Sequence, residues 1–235
     1  MALVSSAVLL VIAYATRYLV FEVVAVMLFL VGAVLTFIDL EPKLARRPAN
    51  EAVRPVMDTL SSTLQSLGIR GHAVYLPVWS SEKSVVTLLL RDPVPIPNGE
   101  LYGGDSELRK RGLVITPIGR GLFQLYDEAL TLNGKSLEYV LRALPGVMIH
   151  DLGLADDVSM SQQEDYVTVN LVRPFFDGLC GTDMGDNRVG CPVCSSIGEV
   201  LAYVSERPVV RAEERSSGRS STITYWLGPR AEASA

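Results

Sequence analysis

The sequence predicts a membrane-anchored α+β or α/β protein, in which an N-terminal transmembrane helical hairpin precedes one soluble domain with helices packed on a mixed β-sheet. Three observations lead to that expectation. The first forty residues are almost free of charge, cations crowd just beyond them, and the remainder alternates strand-like with helix-like segments.

The anchor is taken first. Leu19–Ile38 is continuously apolar apart from Glu22 and a few small residues. As a helix rising about 1.5 Å per residue it would reach about 30 Å, the thickness of a hydrocarbon core. Leu3–Ala15 is apolar too, and becomes a short first span when extended to Arg17, whose long stem can carry its charge to the interface. The expected spans are therefore about 3–17 and 19–38 within a hairpin over 1–40. A single span is the first alternative to the hairpin, and a cleavable secretory signal the weakest, because no Lys or Arg precedes Arg17. Lys43, Arg46, Arg47 and Arg54 follow the second segment closely, and cations stay on the cytoplasmic side. The expectation is thus a two-span protein of the cell membrane with the lipid bilayer as partner and its soluble domain in the cytoplasm.

A basic juxtamembrane linker is expected over 41–54, an α/β domain over 55–229 and a loose tail over 230–235. The chain carries 21 Lys+Arg against 26 Asp+Glu, a net charge of −5. That acidic balance argues against a nucleic-acid partner, which would call for a basic surplus. Three cysteines are too few to staple a domain of this size, and a chain this long can hold a core without them.

The domain reads as follows. Pro55–Leu67 is an amphipathic helix with Val53, Val56, Met57, Leu60, Leu64 and Leu67 on one face, and Gly68 stops it. His72–Val78 and Val85–Arg91 are strands joined by a turn at 80–83, the second covered on both faces because its apolar run is unbroken. The proline- and glycine-rich stretch 92–104 is irregular. Leu113–Pro117 is a short strand, and Gly119 and Gly121 open a turn. Ser136 caps a helix ended by Pro145-Gly146. Asp156 and Asp157 sit in an exposed loop. Tyr166–Val172 is a strand, Pro192–Ser205 a helix with a stripe of Cys194, Ile197, Leu201 and Val204, and Val209–Glu213 with Thr222–Leu227 a closing hairpin.

One constellation rises above background: Cys180, then Cys191-Pro192-Val193-Cys194. Two residues between sulfurs let both face one point, so the pair can chelate a soft metal, as zinc or iron–sulfur, or close a reversible disulfide. With Pro192 at the first helical position and Cys191 at the cap, orphan N–H groups and the positive dipole end would favour a thiolate. Against metal, a structural zinc wants four ligands. A fourth would have to come from His72, His150, Asp183 or Asp186, none at a diagnostic spacing. The bland alternative is that these are structural cysteines, with Cys194 a small core residue. Asp183 and Asp186 lack the regular oxygen spacing of a calcium loop. Gly119-Arg120-Gly121 is no phosphate fingerprint, and no nucleophile elbow, Walker lysine or zincin motif is present.

The paired apolar segments, the basic linker, Gly71-His-Ala-Val-Tyr-Leu-Pro77, Leu113-Val-Ile-Thr-Pro-Ile-Gly119, and Pro192-Val-x-Ser195 before Arg207-Pro-Val209 together resemble uncharacterised archaeal membrane-anchored proteins. That resemblance implies two N-terminal spans and a domain of unknown function, and it supplies no activity. The leading expectation is a membrane-tethered binding or regulatory module for a protein partner or small ligand, without a catalytic set. Its runner-up is a thiol- or metal-dependent protein using Cys180, Cys191 and Cys194.

Overall fold

Hairpins organise the backbone of the computed structural model, which describes residues 51, 53–69, 73–79, 83–90, 112–175 and 190–229. Helix α1 covers 53–66. It is followed by β1 (Ala73–Trp79), β2 (Lys83–Leu90), β3 (Gly112–Ile115), α2 (Arg120–Leu130) and α3 (Leu137–Gly146). A π-helical turn (Val147–Asp151) leads to β4 (Asp157–Gln163) and β5 (Tyr166–Val172), then α4 (Pro192–Ser205), β6 (Val209–Ser217) and β7 (Ser220–Leu227).

The strands form one sheet in the order β3-β2-β1-β6-β7-β5-β4, and every neighbouring pair is antiparallel. The mixed sheet expected from the alternation of strands and helices is corrected by this pairing. Consecutive strands here meet as hairpins, β1 with β2, β4 with β5, and β6 with β7, and a hairpin can only be antiparallel. Strand β6 lies beside β1 and β7 beside β5, so the last hairpin joins the other two.

The membrane-anchored fold class is corrected as well. Among the described residues no helix is long and apolar enough to cross a membrane. Helix α1 over 53–66 and helix α4 each run 14 residues, or about 21 Å at 1.5 Å per residue, short of the roughly 30 Å a bilayer core requires. The architecture found is an α+β domain on an antiparallel sheet, so the multi-pass membrane location does not stand, and neither does the cytoplasmic side derived from it. The segments 3–17 and 19–38 themselves lie outside the described residues.

Side-chain alternation divides the core. Ala73, Tyr75, Val85, Leu89, Val209, Ile223, Tyr225 and Leu227 join the helices in the main cluster. Val74, Leu76, Leu88, Leu90 and Val210 form a second cluster. Strand β2 supplies both, which is why its apolar run has no polar alternation. Helix α1 uses a narrower face than its pattern suggested: Met57 and Leu64 are buried, Val53 and Leu60 partly so, and Val56 and Leu67 are exposed. Gly68 follows it at φ +72, the left-handed geometry of a helix stop.

Helix α4 lies at the centre of the described domain. It contacts β1, β2, β6, β7, α2 and α3, and every residue from Val193 to Tyr203 is buried. Gly198 permits this approach, because a Cβ there would stand 2.4 Å from Cε2 of Tyr75. The expected stripe of four apolar residues thus understated a helix enclosed on all sides.

Three local expectations also change. Helix α2 begins where Gly119 and Gly121 suggested a turn. Asp157 opens β4 and is not a loop residue, and β4 is an edge strand whose buried residue is Val158 alone. Ser136 caps α3 as expected, accepting from the Tyr139 N–H, but Pro145 sits inside the helix and the chain continues into the π-helical turn.

Candidate functional site

Cys191 is the N-cap of α4, with extended backbone (φ −75, ψ 164), and Pro192 occupies the first helical turn. Proline suits that place because its missing N–H would have no intrahelical acceptor anyway. The Cys191 sulfur accepts from the Cys194 N–H at 3.3 Å, so it takes up one of the helix's orphan donors. The same turn carries Cys194 back over the cap, and the two Sγ atoms lie 3.1 Å apart. Both residues are fully buried. That spacing is about 1 Å longer than a disulfide bond.

The two sulfurs are not equivalent. Cys191 is disulfide-bonded, whereas Cys194 carries a titratable thiol. Burial pushes that thiol up to about 12; the Glu214 carboxylate adds to the effect and the Arg211 guanidinium opposes it. Around the pair stand Tyr225, whose hydroxyl donates to the Cys194 carbonyl at 2.8 Å, and Tyr75, raised to about 12 chiefly by burial. Arg211 Nη1 donates to Glu214 Oε2 at 2.8 Å, and Glu214 Oε1 lies 4.0 Å from Cys194 Sγ. A carboxylate and a guanidinium therefore meet the thiol from the sheet side.

A second buried ionisable group sits further along the same helix. Glu199 is completely enclosed, and Arg120 Nη1 on α2 approaches its Oε1 at 2.8 Å. Neither carboxylate oxygen accepts an aligned hydrogen bond. Arg120 instead donates from Nη2 to the Val85 carbonyl at 2.5 Å and lies over the Phe123 ring. Burial raises the Glu199 carboxyl to about 8, against the opposing pull of Arg120. The loss of hydration outweighs one misaligned ion pair, as expected for a carboxyl in an apolar interior.

Of the residues singled out from sequence, Cys191 and Cys194 come together. Cys180, His72, Asp183 and Asp186 lie outside the described residues. His150 is exposed at the end of the π-helical turn, and Asp156 pairs with Arg173 at 2.9 Å on the surface. Among the described residues no three His, Cys, Asp or Glu side chains converge as a metal site would require. Two clefts of about 480 and 490 Å³ flank the start of α3, lined by residues such as Lys135, Ser136, Glu206 and Arg207 in one and Tyr139 and Arg142 in the other. Neither reaches the cysteines. Arg120, Glu199, Arg211 and Glu214 did not stand out in the sequence.

Fold and site together define an antiparallel α+β domain built around a buried helix, with a thiol and a disulfide in contact at that helix's first turn. The chain belongs to the family described as "Domain of unknown function (DUF7982)", which matches residues 2–226. No curated protein matches the chain. No solved structure matches it.

Proposed function

We propose that this protein is a thiol–disulfide switch, a regulatory module whose state is set by exchange between Cys194 and the disulfide at Cys191. The observation that carries the reading is the 3.1 Å separation of the two sulfurs. Exchange proceeds by attack of one sulfur on a disulfide sulfur, and here attacker and target are already in contact. The helix start bears on the fully reduced protein. Once reduced, Cys191 would have the Cys194 N–H and the positive dipole end to stabilise a thiolate, while Cys194 remains the buried, high-pKa partner. The expected binding or regulatory module is thereby narrowed to one with a defined covalent input.

The test uses the full chain in glutathione buffers poised from roughly −320 to −150 mV, the span of cellular redox couples. Acid quenching, alkylation of thiols with one reagent and of reduced disulfides with a second, then peptide mass mapping, would report each cysteine. A Cys191–Cys194 linkage populated within that window is the expected result. Cys194 remaining a thiol at every potential would sink the reading.

A further inference from the structure

Strand β6 carries an irregularity with chemical consequences. On a regular strand, residues three apart point to opposite faces. In β6, Arg211 pairs with Tyr225 and Glu213 with Thr224, a register shift that leaves Ala212 as an extra residue. Beyond it Glu214 pairs with Ile223. Tyr225 and Ile223 both face the main core, and cross-strand partners share a face. The bulge therefore turns Arg211 and Glu214 to the same side, toward the start of α4. Without it Glu214 would lie on the far side of the sheet. Bulges recur beside reactive sites because they re-aim a side chain in this way.

The space for this pair is supplied by Gly190, immediately before Cys191. A Cβ on Gly190 would stand 2.8 Å from Arg211 Nη1, so a side chain there would displace the guanidinium. Arg211 in turn fixes one oxygen of Glu214 at 2.8 Å, leaving Oε1 toward the Cys194 sulfur at 4.0 Å. Both charged side chains are largely buried, with 12% and 18% of their surface exposed.

We propose that Glu214 is the proton acceptor for Cys194 in disulfide exchange, and that Arg211 is the positioning residue that holds it. This rests on the thiol–disulfide reading above and adds the residue that makes exchange feasible at neutral pH. In the step, the Cys194 S–H proton passes to the Glu214 carboxylate. The electron pair left on Cys194 forms an S–S bond to Cys191. The bond that Cys191 already held breaks, and its electron pair leaves on the sulfur at the other end of that bond, which then takes up a proton. One disulfide and one thiol enter, one of each leaves, and no external oxidant or reductant is consumed. Burial makes the step depend on a contacting base, because a thiol so enclosed supplies almost no thiolate by itself.

The experiment follows exchange in the full chain by rapid quench and mass mapping, in wild type, Glu214→Gln and Glu214→Asp. Glutamine keeps the shape and an acceptor for Arg211 but takes up no proton. If Glu214 accepts the proton, Glu214→Gln slows formation of the Cys191–Cys194 linkage by about tenfold to a hundredfold or more at neutral pH. The residual rate then climbs tenfold per pH unit as hydroxide takes over, and Glu214→Asp recovers part of the loss. If Glu214 acts only as a nearby negative charge, its removal makes the thiolate easier to form, and exchange becomes faster. An unchanged or faster rate in a variant with an unaltered thermal melt overturns the proposal and leaves the switch standing. Absence of the linkage in the wild type overturns the switch itself.

Discussion

Glu199→Gln should make the protein more resistant to unfolding at neutral and alkaline pH, although it removes one half of an ion pair. Glu199 is enclosed, accepts no aligned hydrogen bond, and keeps its proton up to about pH 8, against an ordinary value of 4.5. The sign follows from where each state releases that proton. Below about pH 4.5 the folded and unfolded chains both hold it, and the group contributes no pH dependence. Between there and about pH 8 the unfolded chain has released it while the folded chain has not, so stability falls as pH rises. At about 1.4 kcal/mol per tenfold change in proton activity, the whole interval is worth roughly 5 kcal/mol. That figure is an upper bound, since Arg120 is 28% exposed and can draw water in with the carboxylate. Glutamine resembles the protonated acid and has nothing to lose over this interval. Urea unfolding of both proteins at about pH 5, 7 and 9 would show the variant gaining on the wild type by roughly 3–5 kcal/mol across the range. Parallel stability curves would refute the reasoning. They would mean that the carboxylate is ionised in the folded protein and that Arg120 compensates its burial.

Other substitutions probe the frame around the site. Ser136→Ala removes the side-chain acceptor for the Tyr139 N–H at the start of α3 and should cost about 1 kcal/mol, a melting shift of roughly 2–4 °C for a domain of this size. Gly198→Ala drives a methyl into the Tyr75 ring and should destabilise by about 1–3 kcal/mol or more, measured by denaturant unfolding. Gly121→Ala, where an added Cβ meets nothing within 4 Å, is its counterpart in α2 and should stabilise by up to about 1 kcal/mol. Tyr225→Phe deletes the 2.8 Å bond to the Cys194 carbonyl and should cost about 1 kcal/mol, with a hydrogen-exchange increase confined to the first turns of α4.

Local periodicity was a sound guide wherever one element buries one continuous surface. The strands near 73–90 and 166–172, the cap at Ser136 and the helix from Pro192 to Ser205 follow from side-chain pattern and turn residues alone. The elements that escaped are those in which pattern and burial part company. Strand β4 reads D-V-S-M-S-Q-Q and buries Val158 alone, because an edge strand with one open side has little need of apolar residues. Strand pairing is the other gap. A chain that alternates strands and helices is compatible with parallel crossovers, and the antiparallel sheet depends on β6 closing against β1, far away in sequence. The expectation of membrane spans came from hydropathy alone, which measures how apolar a stretch is and not what structure it adopts.

The site divides along the same physical line. Two cysteines at helical spacing, with proline after the first, announce a shared helix start, and the structure places both sulfurs there. The acids beside them could not be read in that way. Glu199 lies on a helix that buries its polar residues along with its apolar ones, so amphipathic reasoning assigns it to solvent. Glu214 belongs to a run, Val209-Val-Arg-Ala-Glu-Glu-Arg215, in which strict alternation turns Arg211 and Glu213 to one face and Glu214 to the other. The extra residue at Ala212 reverses that assignment, and only backbone pairing reveals it. A one-residue shift exchanges the two faces of a strand. That is why a side chain expected to point away from Arg211 stands against it, within 4.0 Å of the thiol it is proposed to serve.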